Sequence, residues 1–199
     1  MARDDMVPGV DPADSIVENA DLIVTARVAD LLRWDRKIGD PRNVAELHQM
    51  RIAAKRLRYT MELFEPFYGR GFGAAVDRIK GFQEQLGAIH DADVLVPRLA
   101  EQARKLLRPR GRAAAEGVFV ADFDAASGLL ALCRRLADGR RATHRRFLAD
   151  WRKARASGFF EALPGIARRD EPAGSEPGKE SERHGKGKPP VEAVSSDGA

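Results

Sequence analysis

The feature that most constrains the fold is an apolar repeat between residues 47 and 64. Apolar side chains recur there every three or four residues, which places them on one face of an α-helix: Leu47, Met50, Ala54, Leu57, Met61 and Phe64. Similar repeats lie on both sides of this segment, and no segment alternates like a half-buried strand between turn residues. The sequence therefore predicts an all-α fold, an antiparallel bundle of about five helices.

A second row of side chains on the same helix is basic. Its members are three, four and three residues apart, so each lies about one turn above the last, and we call them the basic column: His48, Arg51, Lys55 and Arg58. Ile52 and Tyr59 flank the column, and no acid follows on this row until Glu62. Two interpretations fit this spacing. The column is a binding site for a polyanion such as a phosphate chain, or it is a solvated basic face with a histidine at the core edge.

Capping signals predict the ends of the first two helices. Asp11-Pro12 fits an N-cap followed by proline in the first turn, and the apolar repeat then extends to about Trp34. Asn43 and Glu46 have the spacing of a capping box at the start of the second helix. That helix should end near Glu65, because the proline that follows disfavours helical backbone in the residue before it.

Glycine and aspartate predict a break farther along the chain. An amphipathic repeat from Phe72 should stop at Gly87, and residues 89–93 should form a polar connection. Asp91 or Asp93 would cap a fourth helix, with Pro97 in its first turn.

A long helix is predicted from about Asp124, although Gly128 and Gly139 weaken the expectation that it is unbroken. Its later part is rich in arginine and contains one histidine. We interpret this run as a solvated helix face: Arg140, Arg141, His144, Arg145, Arg146, Arg152 and Arg155.

Composition limits the remaining choices. Hydrophobic residues make up 43% of the 199 residues, enough for one core, and the net charge of +4 does not by itself indicate nucleic-acid binding. Cys133 is the single cysteine, which excludes an internal disulfide. No signal peptide and no apolar run of about 18 residues is visible, so we expect a cytoplasmic protein without a membrane segment. We predict a flexible N-terminus at 1–10, a helical domain at 11–167 and a disordered tail at 168–199.

Two sequence motifs resemble those of the CHAD family, the conserved histidine α-helical domains. The first is His48-Gln49-Met50-Arg51-Ile52-Ala53-Ala54-Lys55-Arg56-Leu57-Arg58-Tyr59, and the second extends from Ile79 to Val94 and contains Gly87-Ala88-Ile89-His90-Asp91. The resemblance covers roughly residues 10–165, and the segment from Gly128 to Phe160 matches more loosely.

The resemblance implies a helical domain that binds inorganic polyphosphate in a basic cavity and is associated with polyphosphate granules. The residues themselves show no Gly-rich phosphate loop and no Walker lysine, so we expect binding without catalysis. Matched position by position, the resemblance implies these polyphosphate-binding residues: His48, Arg51, Lys55, Arg56, Arg58, Lys80 and His90. It gives Asp91 the role of a cap or an orienting partner, and it implies no cofactor and no metal site.

The signature helix occurs once in this chain, whereas a complete family member usually has two such helices facing each other across the cavity. We therefore hypothesise a symmetric homodimer that rebuilds the two-half arrangement, since closed two-fold pairs are the commonest oligomers.

Three other functions remain open from the sequence. The column could bind a nucleic-acid backbone, although Tyr59 is the one aromatic residue beside it. An enzyme acting on polyphosphate would need an acidic metal cluster or an activated nucleophile, and only Asp91 and Asp93 lie within the second motif. A helical adaptor for an acidic protein partner is the third.

Overall fold

A computed structural model describes residues 7–69, 71–108 and 122–165. Its helices are α1 (Ile16–Leu32), α2 (Val44–Phe64), α3 (Gly71–Leu106), α4 (Phe123–Ala156) and the short α5 (Phe159–Ala162). Two 3-10 turns, Glu65–Phe67 and Leu163–Gly165, follow α2 and α5. Within these described ranges there is no strand, and the prediction of an all-α fold with about five helices is confirmed.

The described helices pack around one core, and α3 runs antiparallel to both α2 and α4. Contacts between α3 and α4 join Gln85 to Asp150 and Asp93 to Arg140, so the two helices run in opposite directions. The apolar face of α2 is buried as its spacing predicts, from Leu47 to Met61. Aromatic rings from three helices meet beneath it: Phe82, Phe147, Trp151 and Phe160.

The predicted start of α1 at Asp11 is wrong, whereas Asn43 is the N-cap residue of α2 as predicted. Helix α1 begins at Ile16, because Ser15 and Glu18 form the capping box there: each side chain accepts the backbone N–H of the other residue. Helix α2 has no capping box at Asn43. The Asn43 side-chain amide instead donates a hydrogen bond of 2.7 Å to the Lys37 carbonyl and ties α2 to the preceding loop.

The predicted break near Gly87 is also wrong, since α3 continues through it to Leu106. Side chains buried in the core keep helical spacing across the supposed connection: Phe82, Leu86, Ile89 and Ala92. Packing of this stripe holds the segment in a helix, so neither Asp91 nor Asp93 is a cap. Pro97 lies inside α3, where its missing N–H leaves the Asp93 carbonyl without an intrahelical partner.

Helix α4 is unbroken from Phe123 to Ala156 and passes through Gly128 and Gly139. Its interpretation as a wholly solvated face is wrong at two residues. His144 is 4% exposed and lies 2.9 Å from the Ile38 carbonyl through Nε2. The Arg140 side chain is 10% exposed and pairs with Asp93 of α3. None of the helices in the described ranges has an apolar stretch that could span a bilayer. The predicted tail at 168–199 lies outside the described residues, as do residues 1–6.

Candidate polyanion-binding site

The basic column lies along the seam between α2 and α3. The buried stripe of α2 fixes the rotation of the helix about its axis and therefore turns the column toward α3 instead of the far side of the bundle. His48, Arg51 and Arg58 are half-buried and Lys55 is exposed. The cations at the seam are thus partly desolvated, which strengthens any contact they make with an anion.

The head of the column is a pair of histidines, one from each helix. His48 Nδ1 lies 3.1 Å from His90 Nδ1, and the ring centroids are 4.5 Å apart. In such a contact one Nδ1 donates its hydrogen and the other accepts it. The structure thus brings together two residues that lie 42 positions apart in the sequence.

The next step of the column is Arg51, whose Nε lies over Gly87 of α3, 3.9 Å from where a Cβ would be. The two helices therefore run past each other with His48 beside His90 and Arg51 beside Gly87. Continued at helical spacing, this antiparallel register brings Lys55 level with Gln83 and Arg58 level with Lys80. The α3 residue Lys80 is exposed and extends the positive surface of the column across the seam.

Arg58 is the one member of the column with an acidic partner among the described residues. Its Nε lies 3.2 Å from Glu62 Oε1, but the geometry is that of an ion pair without a hydrogen bond. Arg58 and Lys55 also lie over the Tyr59 ring, at 4.6 and 5.5 Å from its centroid. In the described part of the chain, no Asp or Glu pairs with Arg51 or Lys55, so the column keeps most of its charge available to a ligand.

Arg56 does not join the column. It is exposed on another face of α2, where it lines a cleft together with Arg27, Asp30 and Arg33 of the α1 side. Contacts place His48, Arg51 and His90 at the α2–α3 seam. The helical register puts Lys55, Arg58 and Lys80 along the same line, whereas Arg56 lies about a third of a turn away on α2.

The pKa of His90 is held below its usual value of 6.5, first by burial and then by the positive charges of His48 and Arg51. Asp91 and Asp93 act in the opposite direction but do not compensate. Burial and the neighbouring positive charges therefore oppose protonation of His90.

This depressed pKa gives a prediction for the free protein. Because the unfolded chain binds a proton at His90 more readily than the folded chain does, acidification through and below about pH 6.5 should destabilise the fold. We expect His90→Gln to lose less melting temperature than the wild type between about pH 7.5 and pH 5.5, as measured by circular dichroism. Equal losses in the two proteins would contradict the assignment.

Sequence reasoning missed one residue of the site and one ion pair beside it. The local sequence signals predict that a helix ends at Gly87, whereas in the structure the Arg51 side chain lies against this glycine. The same signals predict that Asp91 or Asp93 caps a helix, whereas the Asp93 carboxylate accepts two hydrogen bonds, of 2.9 and 3.1 Å, from Arg140 of α4. Residues 48, 51, 55 and 58 of α2 and residues 80, 83, 87 and 90 of α3 follow the same spacing of three, four and three residues. This shared spacing was the sequence signal that could have predicted the seam.

Comparison with protein families gives one match. Residues 4–100 match the family model described as CHAD domain, a range that covers α1, α2, most of α3 and all seven predicted binding residues. No match was found among curated proteins or among solved structures. Helix α4 lies outside the matched range.

Proposed function

Because the chain belongs to the CHAD family, we propose that it binds inorganic polyphosphate through the basic column and the adjoining side chains of α3. CHAD domains are associated with polyphosphate binding in general. The observation that carries the proposal for this chain is the seam itself. It aligns four cationic or titratable side chains of α2 with Lys80 and His90 of α3, and only Arg58 has an acidic partner in the described residues.

The chemistry of the seam suits a chain of linked phosphates. Arg51 and Arg58 can donate forked, charge-assisted hydrogen bonds to phosphate oxygens, while Lys55 and Lys80 supply compact charges. The histidine pair can donate from the ring nitrogens that are not engaged between the two rings. Successive cations follow one line about 5 Å apart along the helix, so neighbouring phosphates of one chain would bind at high effective concentration.

A titration with polyphosphate tests the proposal. We expect affinity to rise with chain length and to fall steeply between about 50 and 200 mM salt, because binding releases counterions. Calorimetry with chains of two defined lengths at both salt concentrations measures each trend. Affinity that depends on neither length nor salt would contradict binding along the column.

We propose binding without catalysis. The described residues contain no group of three or more His, Cys, Asp or Glu side chains placed to hold a metal ion, and Asp93 is engaged with Arg140. Incubation with polyphosphate and magnesium, followed for phosphate release, tests this part.

Nucleic acid and an acidic protein are the alternative ligands of the column. Competition between polyphosphate and duplex DNA at equal phosphate concentration distinguishes polyphosphate from nucleic acid as the preferred ligand. The proposal places the protein in the cytoplasm, with polyphosphate granules.

A homodimer is part of the proposal. Large apolar side chains are exposed at the C-terminal end of α2 and in the turn after it, beside the column: Tyr59, Leu63 and Phe67 are 49%, 68% and 48% exposed. A second copy packed on this strip would place its own column near the first. We expect light scattering to give the mass of two chains, and Leu63→Glu to reduce it to one. A mass of one chain for the wild type, with and without polyphosphate, would refute the dimer.

A further inference from the structure

Helix α4 carries a second concentration of positive charge, away from the α2–α3 seam. It contains nine Lys/Arg residues against three Asp. Seven of the cations are exposed, and we call them the α4 basic face: Arg134, Arg135, Arg141, Arg145, Arg146, Arg152 and Lys153.

The arginines of α4 form two groups, those that have an acidic partner among the described residues and those that do not. The two that point toward the bundle are paired: Arg140 with Asp93 of α3, and Arg155 with Asp35 and Glu161. On the α4 basic face, only Arg141 has an acidic partner in the described part of the chain, Asp138 one turn before it. The outward charges therefore have no evident structural role within the described fold.

The basic face is organised in two rows. At 100° per residue, one row consists of positions 134, 141, 145 and 152, and the other of positions 135, 146 and 153. The exposed residues Asp138, Ala142 and Ala149 lie between them. Two rows about 100° apart on a helix hold the ends of extended side chains about 12 Å apart, and the face is about 28 Å long from Arg134 to Lys153.

We propose that the α4 basic face docks double-stranded nucleic acid by its phosphate backbones, without reading base sequence. A duplex presents two lines of phosphates across a major groove about 12 Å wide, which matches two rows of cations on a rigid helix. Arginine, six of the seven cations, forms forked hydrogen bonds with phosphate.

Other occupants fit the face less well. A single phosphate chain is too narrow to contact both rows with the side chains extended, and it has the column as a better-matched site. A membrane-surface helix needs large apolar side chains on its inserted face, whereas two alanines and Asp138 separate these rows. An acidic protein partner is separated by the experiment below.

The test uses the full chain and a fluorescently labelled duplex of about 24 base pairs, followed by anisotropy at low salt. We expect the triple variant Arg145→Gln/Arg146→Gln/Arg152→Gln to bind the duplex at least tenfold more weakly than the wild type. The slope of log affinity against log salt should fall by about 0.9 for each phosphate that the variant no longer neutralises. These side chains are exposed, so an unchanged melting temperature should confirm that the variant folds.

The matched control is Arg36→Gln/Arg98→Gln/Arg104→Gln, which removes three exposed positive charges outside both the column and the α4 basic face and should leave duplex affinity within about threefold of the wild type. Undetectable duplex binding by the wild type would overturn the proposal and favour an acidic protein as the partner of α4. Equal duplex affinity in the α4 variant and the wild type would also overturn it, as would an equal loss in the control variant. Polyphosphate binding, the proposed function on the column, is measured in a separate titration with unlabelled polyphosphate. A negative result for duplex binding therefore does not affect the proposed function, and the reverse also holds.

Discussion

Replacing Arg51 with alanine is expected to weaken polyphosphate binding by about 1–3 kcal/mol, roughly 5- to 150-fold. Arg51 is half-buried at the seam, lies over Gly87 and has no acidic partner in the described residues. Its removal would therefore abolish charge-assisted hydrogen bonds to phosphate without releasing an opposing carboxylate. Isothermal titration calorimetry with one defined chain length measures the change.

Arg56→Ala is the matched control for Arg51→Ala. Both residues lie on α2 and both changes remove one positive charge, but Arg56 faces the cleft beside α1. If the column is the site, Arg56→Ala should reduce affinity only by the general loss of one charge, less than about threefold. Equal effects at the two positions would indicate that α2 attracts the ligand only through its net charge.

Glu62→Gln, at the C-terminal end of the column, is expected to strengthen polyphosphate binding instead of weakening it. Glu62 lies 3.2 Å from Arg58 and competes with a phosphate for that guanidinium. Removing its charge should strengthen polyphosphate binding by a few tenths of a kcal/mol, about the size of an exposed pair four residues apart. Unchanged affinity in Glu62→Gln, together with a loss in Arg58→Ala, would show that the ion pair does not compete with the ligand.

Replacing Trp151 with alanine is expected to lower the free energy of unfolding by about 3–5 kcal/mol. The side chain is 2% exposed, and its ring contacts Phe82, Phe147 and Phe160 with centroid distances between 4.6 and 5.9 Å. Truncation would leave a large cavity at the meeting point of α3, α4 and α5. Urea denaturation followed by circular dichroism measures the change.

Trp151→Phe separates the packing of the ring from its hydrogen bond. Trp151 Nε1 donates to Asp35 Oδ1 at 2.6 Å, and Asp35 also pairs with Arg155 at 3.4 Å. The phenylalanine variant keeps most of the aromatic packing and removes the donor, so we expect a cost of about 1–2 kcal/mol. A destabilisation as large as that of Trp151→Ala would place the energy in the hydrogen bond instead of the core.

The periodic parts of the structure were predictable because burial repeats with the helical period. The stripe from Leu47 to Met61 and the end of α2 near Glu65 are confirmed. Local signals were less reliable. Gly87 and Asp91 look like a helix stop and a cap, yet core packing of Ile89 and Ala92 outweighs the glycine penalty of about 1 kcal/mol and keeps α3 continuous.

The candidate site was likewise predictable from the sequence only in part. The column and its rotation toward the core edge follow from spacing on a single helix, so His48, Arg51, Lys55 and Arg58 could be grouped from the sequence. The exclusion of Arg56 also follows from spacing, but motif matching alone includes it. The pairing of His48 with His90 needed the register between two helices, which no local pattern specifies.

The sequence by itself determined which residues form helices, which face of each is apolar, and that four basic side chains share one row. It did so because these properties depend on intervals of three and four residues. Only the tertiary structure decided that α3 is continuous, that His48 meets His90, and that the inward arginines of α4 have acids while most of the outward ones do not among the described residues. Those outcomes depend on which helices pack together and in what register, and packing is chosen by the whole core at once.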